Sequence, residues 1–197
     1  MIKKNNRQFN CTEFVISPGE IYSSNQPVLI TTVLGSCIAV CLYDGTNRIA
    51  GMNHFMLPGR YAKGNILSSE AARFGLNSME YLITGMMKMG ADRARLVAKV
   101  FGGGHVFAGI DRITVPQDNI DFVHDFLEME GIRIVKEDTG GRDTRKIHFL
   151  TDDGRVLLRR IPSTRGAAQQ VAAETNYEHE VQREQKEYLI GDLTIFE

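Results

Sequence analysis

The sequence predicts an α+β fold in which a mixed sheet packs against two helices. Three observations point there. Runs rich in β-branched residues fill residues 28–57 and return after residue 130. Two apolar patterns with helical spacing lie at residues 68–89 and 118–130. Strands and helices do not alternate strictly along the chain, which argues against a regular parallel α/β fold.

The elements follow in order. Lys3, Lys4 and Arg7 stand among polar residues with little to bury, so residues 1–11 read as a flexible basic arm. Residues 12–162 read as one folded domain. Residues 28–34 predict a strand, interrupted by Gly35-Ser36. Residues 37–43 predict a second strand, closed by the turn signal Asp44-Gly45. A third covers residues 48–57 and is stopped by Pro58-Gly59.

Residues 68–89 predict a helix. Ser68 is placed to cap its N–H groups, and Glu70 suits the positive end of the dipole. Ala72, Met79, Leu82, Ile83 and Met86 form its apolar stripe, and Gly90 ends it. A strand over residues 94–101 runs into Gly102-Gly103-Gly104. The second helix, residues 118–130, turns Ile120, Val123 and Leu127 to one side, with Gly131 behind it. Strands are expected at residues 132–136, 146–151 and 156–161, the last two joined by Asp152-Asp153-Gly154.

Residues 163–197 differ in character. Seven acids face three bases there, a net charge of −4, and Ala, Gln and Glu favour a helix over residues 167–189. This acidic tail suits either a solvated extension or a partner-binding helix.

Composition narrows the function. The chain has 197 residues, 23 Lys+Arg and 24 Asp+Glu, for a net charge of −1. A strongly basic nucleic-acid binder is disfavoured, because phosphate contacts need an excess of Lys and Arg. Three cysteines, Cys11, Cys37 and Cys41, are an odd, small set and no disulfide framework. No apolar run approaches the roughly 20 residues of a membrane span. No secretory signal opens the chain. A cytoplasmic protein is expected.

A cysteine serves as nucleophile when its thiolate is favoured and reachable. Cys41 lies inside an apolar run and reads as core; Cys11 falls in the arm. Cys37 follows Gly35-Ser36, where a bend can expose both a side chain and backbone N–H groups for an oxyanion. A buried structural cysteine is the competing reading. Of the five histidines, His54 shares a strand face with Ala50, Met52 and Met56, and the Asp44-Gly45 turn would fold it back toward Cys37. Cys37 and Cys41 sit about 13 Å apart on a strand, too far to share a metal ion. The triple glycine lacks the Lys-Ser/Thr of a phosphate loop.

Thr31-Thr32-Val33-Leu34-Gly35-Ser36-Cys37, with His54-Phe55-Met56-Leu57-Pro58 after it, resembles the signature of the CheD chemoreceptor glutamine deamidases. Phe101-Gly102-Gly103-Gly104 and Glu137-Asp138-Thr139-Gly140-Gly141 are similar to two further blocks of that family. The resemblance implies a layered α/β/β sandwich and a Cys-His-Thr triad falling on Cys37, His54 and Thr31, with Thr32 the neighbouring alternative. It also implies deamidation of receptor glutamines through a thioester, with no metal or organic cofactor. Chemotaxis receptors and a CheC-type phosphatase are the implied partners. Gly35 and Ser36 would shape the oxyanion site. A role as a binding partner of that phosphatase is the alternative to catalysis.

Overall fold

The N-terminal residues form structure that their polarity conceals. β1 (Ile2–Asn6) pairs antiparallel with β2 (Cys11–Val15), so the expected flexible arm is instead an edge hairpin. Asn6 explains the turn. Its Oδ1 accepts from the Gln8 and Phe9 backbone N–H groups, and its Nδ2 donates to Glu13 across the hairpin. The computed structural model describes residues 1–106 and 114–162, together with Asn176, Tyr177 and Arg183. The predicted tail helix lies outside the described residues, those three apart.

After β3 (Ile21–Ser24) come the central strands β4 (Leu29–Leu34), β5 (Ile38–Asp44) and β6 (Ile49–Asn53). β5 and β6 form the antiparallel pair expected from the Asp44-Gly45 turn. Asp44 secures that turn by accepting from the Thr46 and Asn47 N–H groups. Next are α1 (Glu70–Lys88), a short 3₁₀ turn at Arg93–Arg95, β7 (Val97–Gly102) and α2 (Val115–Met129). β8 (Arg133–Thr139), β9 (Thr144–Leu150) and β10 (Val156–Ile161) complete the fold. The α1 cap is Ser69, whose side chain accepts from Ala72 N. Ser68, expected in that place, belongs to the preceding turn, and its N–H and Oγ both donate to Asn65 O.

Among the described residues, the strands form two mixed sheets of five, ordered β1-β2-β4-β9-β10 and β3-β6-β5-β7-β8. Strand alternation then sorts the core into two layers. On β5, Ile38, Val40 and Leu42 turn toward the helices, where they meet Met79, Leu82, Ile83, Phe122 and Phe126. Cys37 and the alternate residues Ala39 and Cys41 turn the other way. With Ala50, Met52 and Met56 they pack against Ile30, Leu34, Ile147 and Phe149 of the other sheet. The result is the α+β sandwich expected from the sequence, with two helices on one sheet and the second sheet beneath it.

Candidate functional site

The expected nucleophile and base share the inner face of the second sheet. Ile38 and Phe55 exchange backbone hydrogen bonds at 2.9 and 3.0 Å, extending the β5–β6 pairing beyond Asn53. That register sets Ala39 opposite His54 and Cys37 diagonal to it on the same face. Diagonal neighbours stand about 7 Å apart, within reach of an imidazole. Both residues are buried, Cys37 at 0% and His54 at 1% exposure. The bend at Gly35-Ser36 therefore does not expose Cys37 as expected. The turn is roofed by the Gly102–Gly104 loop on one side and by α2 on another.

Backbone donors hold this turn tightly. Gly103 N donates to Cys37 O and Gly104 N to Gly35 O, each at 2.7 Å. Gly102 allows so close an approach: its φ is +118°, and a Cβ there would lie 2.2 Å from Cys37 O. The second glycine block joins the same cluster, with Gly140 N donating to Gly102 O and His105 N to Gly141 O. Arg145 supports it from beneath. Its guanidinium, 1% exposed, donates to Asp138 Oδ1, Asp143 O and Gly140 O. Ser36, also buried, directs its Oγ toward Met56 Sδ at 3.9 Å.

The threonine hydrogen-bonded to His54 is Thr32, the neighbouring alternative, and not Thr31. Thr32 Oγ1 lies 2.8 Å from His54 Nδ1. Thr31, the neighbour in sequence, points to the opposite face of β4, and its Oγ1 lies 2.8 Å from His148 Nδ1. A one-residue step along a strand reverses the face, so only one of the pair can reach the space between the sheets. Thr32 also fixes the imidazole's tautomer. Its single hydroxyl hydrogen goes to Ile16 O at 2.8 Å, and a carbonyl can only accept. The Nδ1 of His54 is thus the donor to Thr32 Oγ1. In the neutral ring the basic lone pair is then on Nε2.

The pKa values of the other two thiols are raised. Burial pushes the Cys41 thiol far above its ordinary range, against a weaker opposing pull from Lys99. Burial, then the Glu13 and Asp152 charges, raise that of Cys11. Neither favours a thiolate.

The Thr31 side of β4 carries a separate polar cluster. Burial, the largest influence on Glu13, raises its pKa; hydrogen bonds from Thr31 and Asn6, with the Lys4 and His148 charges, outweigh it and hold the carboxyl low. His148 is lowered below 6.5, first by burial and then by the Lys146 charge, with Lys4 adding and Glu13 opposing. An unfolded chain therefore binds this proton more readily than the folded one as pH drops below about 6.5. Its contribution to stability is fully present above that value and is lost as pH falls through the folded pKa. Urea midpoints measured from about pH 7.5 to 5.5 should fall less steeply for His148→Gln than for the native chain. Parallel curves would refute this.

Met56, on the His54 face, also lines a cleft of about 260 Å³ between Gly19 and the α1 residues Phe74, Ser78 and Tyr81. The Tyr177 ring lies against Gly19 at its edge. His124 Nε2 meets Glu137 Oε1 at 2.9 Å.

Known proteins bear on this geometry. The family model described as "CheD chemotactic sensory transduction" matches residues 56–160, just over half of the chain. The chain is 46% identical over 156 residues to the "Probable chemoreceptor glutamine deamidase CheD" of Methylobacillus flagellatus, covering 79% of this chain and 77% of that protein. A protein of the same name from Thiobacillus denitrificans is 47% identical over an equal span. "Probable chemoreceptor glutamine deamidase CheD 2" of Chromobacterium violaceum is 40% identical over 191 residues, 96% of this chain and 92% of that one. Similarity of this depth and extent, joined to the two-sheet architecture, makes the chain a member of the CheD family.

Proposed function

We propose that this chain converts glutamine side chains of chemoreceptors to glutamate, with Cys37 as nucleophile, His54 as base and Thr32 as the group that orients His54. The observation carrying the proposal is the placement of Cys37 and His54 on one sheet face, with His54 Nδ1 held by Thr32. The names of the relatives support the receptor as substrate.

The reaction follows from the residues. His54 Nε2 takes the Cys37 proton, giving a thiolate–imidazolium pair. The thiolate attacks the amide carbon, and N–H groups of the turn at Gly35 and Ser36 receive the developing oxyanion. Imidazolium passes its proton to the departing nitrogen, so ammonia leaves and a thioester remains. Water, deprotonated by His54, cleaves the thioester, releasing glutamate and restoring the thiol. Thr32 keeps Nδ1 protonated and the ring aligned throughout, the part a third group plays in such sites. No metal or organic cofactor enters these steps.

Because both reacting side chains are buried, the packing over the turn must open to admit a protein-borne amide. Among the described residues, no helix is long and apolar enough to cross a membrane. A site in the cytoplasm is the reading that fits a substrate in receptor cytoplasmic regions. The family resemblance is the support for a CheC-type phosphatase as partner.

The two threonines provide the test. A purified receptor cytoplasmic fragment is incubated with each variant, and conversion is followed by ammonia release and peptide mass. Thr32→Val should lower kcat by about tenfold or more, the cost of a hydrogen bond to a group that becomes charged. Thr31→Val should leave kcat within about twofold, since it touches His148 rather than His54. The reverse ranking would return the role to Thr31.

A further inference from the structure

Asn119 occupies the second turn of α2, on the apolar stripe it shares with Pro116, Ile120, Val123 and Leu127. It is wholly buried, and both ends of its amide are engaged. Nδ2 donates to Ser36 O at 3.0 Å, and Oδ1 accepts from Leu57 N at 2.8 Å. Ser36 immediately precedes Cys37, and Leu57 lies three residues beyond His54. One side chain therefore ties the turn bearing the nucleophile to the strand end bearing the base.

Its bond to Ser36 also completes a pattern. Three consecutive carbonyls, those of Gly35, Ser36 and Cys37, accept from Gly104 N, Asn119 Nδ2 and Gly103 N. In a trans peptide the N–H points opposite to the C=O of the same unit. Pinning the Gly35 and Ser36 oxygens therefore turns the Ser36 and Cys37 N–H groups away from Gly104 and Asn119. Asn119 is the only side chain of these three donors, and so the one open to substitution without altering the backbone.

We infer that Asn119 is a positioning residue for the deamidation: it sets the orientation of the Ser36–Cys37 peptide and the spacing of Cys37 from His54. This rests on the proposed function above. A residue that merely filled space would be replaceable by an isostere at no cost to the reaction once the chain is folded. Asn119→Asp is that isostere. It keeps an acceptor for Leu57 N and sets an oxygen against Ser36 O where a donor stood. Protonation of the new carboxyl restores a donor, so its effect has a pH dependence that a packing defect lacks.

The test uses the full-length chain with a receptor cytoplasmic fragment, and measures kcat and KM across pH. Alkylation of Cys37 by iodoacetamide is followed in parallel, in a Cys11→Ser background. Asn119→Asp should lower kcat by about tenfold near pH 8 with KM within about twofold, and the deficit should shrink as pH falls. Alkylation of Cys37 should change in step. Asn119→Ser, uncharged and too short to span both partners, serves if the Asp variant does not fold, and should lower kcat without the pH-dependent recovery. Unchanged kcat in a folded variant overturns the inference, as does a loss that matches the fraction unfolded. A native chain that converts no glutamine, yet shows Cys37 alkylation sensitive to Asn119, would overturn the proposed reaction and leave the positioning role standing.

Discussion

Replacing Cys37 by alanine is expected to abolish glutamine conversion while leaving the fold in place. The side chain is small and packs among Ala39, Cys41 and Met56 between the sheets, so loss of the sulfur leaves only a slight cavity. The chemistry has no substitute for it. Cys41 is two residues beyond Ala39 on the same strand face, but burial holds its thiol protonated. Cys11 lies on β2, an edge-hairpin strand of the other sheet, and its thiol is also raised. Turnover on a receptor fragment should therefore fall by about a thousandfold or more. His54→Gln should do the same, because an amide can fill the space and donate to Thr32 Oγ1 but cannot take the thiol proton. Mass spectra of receptor peptides provide the measurement. Full conversion by Cys37→Ala would remove the nucleophile from the proposal, and full conversion by His54→Gln would remove the base.

The pair was legible because period-2 alternation is a strong constraint. Ala50, Met52, His54 and Met56 had to share a face, and the Asp44-Gly45 turn had to return that face toward the Cys37 strand. The threonine was harder. Both faces of β4 are apolar at their flanks, Leu29 and Val33 on one side and Ile30 and Leu34 on the other. Pattern alone gives no preference between Thr31 and Thr32, and only the stacking of the second sheet decides it. The first three strands are short and polar, and β1 and β3 lie at sheet edges, where pairing partners rather than hydrophobic alternation define them. Asn119 and Arg145 left a signal that could have been read. Each is a polar residue at a position where the period demands an apolar one: Asn119 on the α2 stripe, and Arg145 in register with buried Ile147 and Phe149. Such a residue must find its partners inside the fold, and here both find them at the turn before Cys37 or its support.

Arg145 should prove the most sensitive of these to mutation. Arg145→Met keeps much of the side-chain volume and removes every donor. The Gly140 and Asp143 carbonyls then lose the guanidinium beneath them, and Asp138 keeps Arg160 as a partner. Breaking a buried, hydrogen-bonded charge pair costs about 3 kcal/mol or more, and Asp138 is itself only 22% exposed. For a chain of this size that corresponds to a fall in Tm of about 6–12 °C. Arg160→Met is the control, because Arg160 contacts the same carboxylate from the surface at 55% exposure. Its midpoint should stay close to the native value. Activity should part the two variants further. A Cβ at Gly104 would lie 3.1 Å from Gly35 O and Asp143 O and 3.3 Å from Arg145 Nη1, so the guanidinium is packed directly against the loop that holds the turn before Cys37. Loosening that loop should lower kcat in Arg145→Met even where the protein remains folded, with KM less affected. Equal midpoints for the two variants in thermal unfolding would show that the buried guanidinium contributes no more than the surface one.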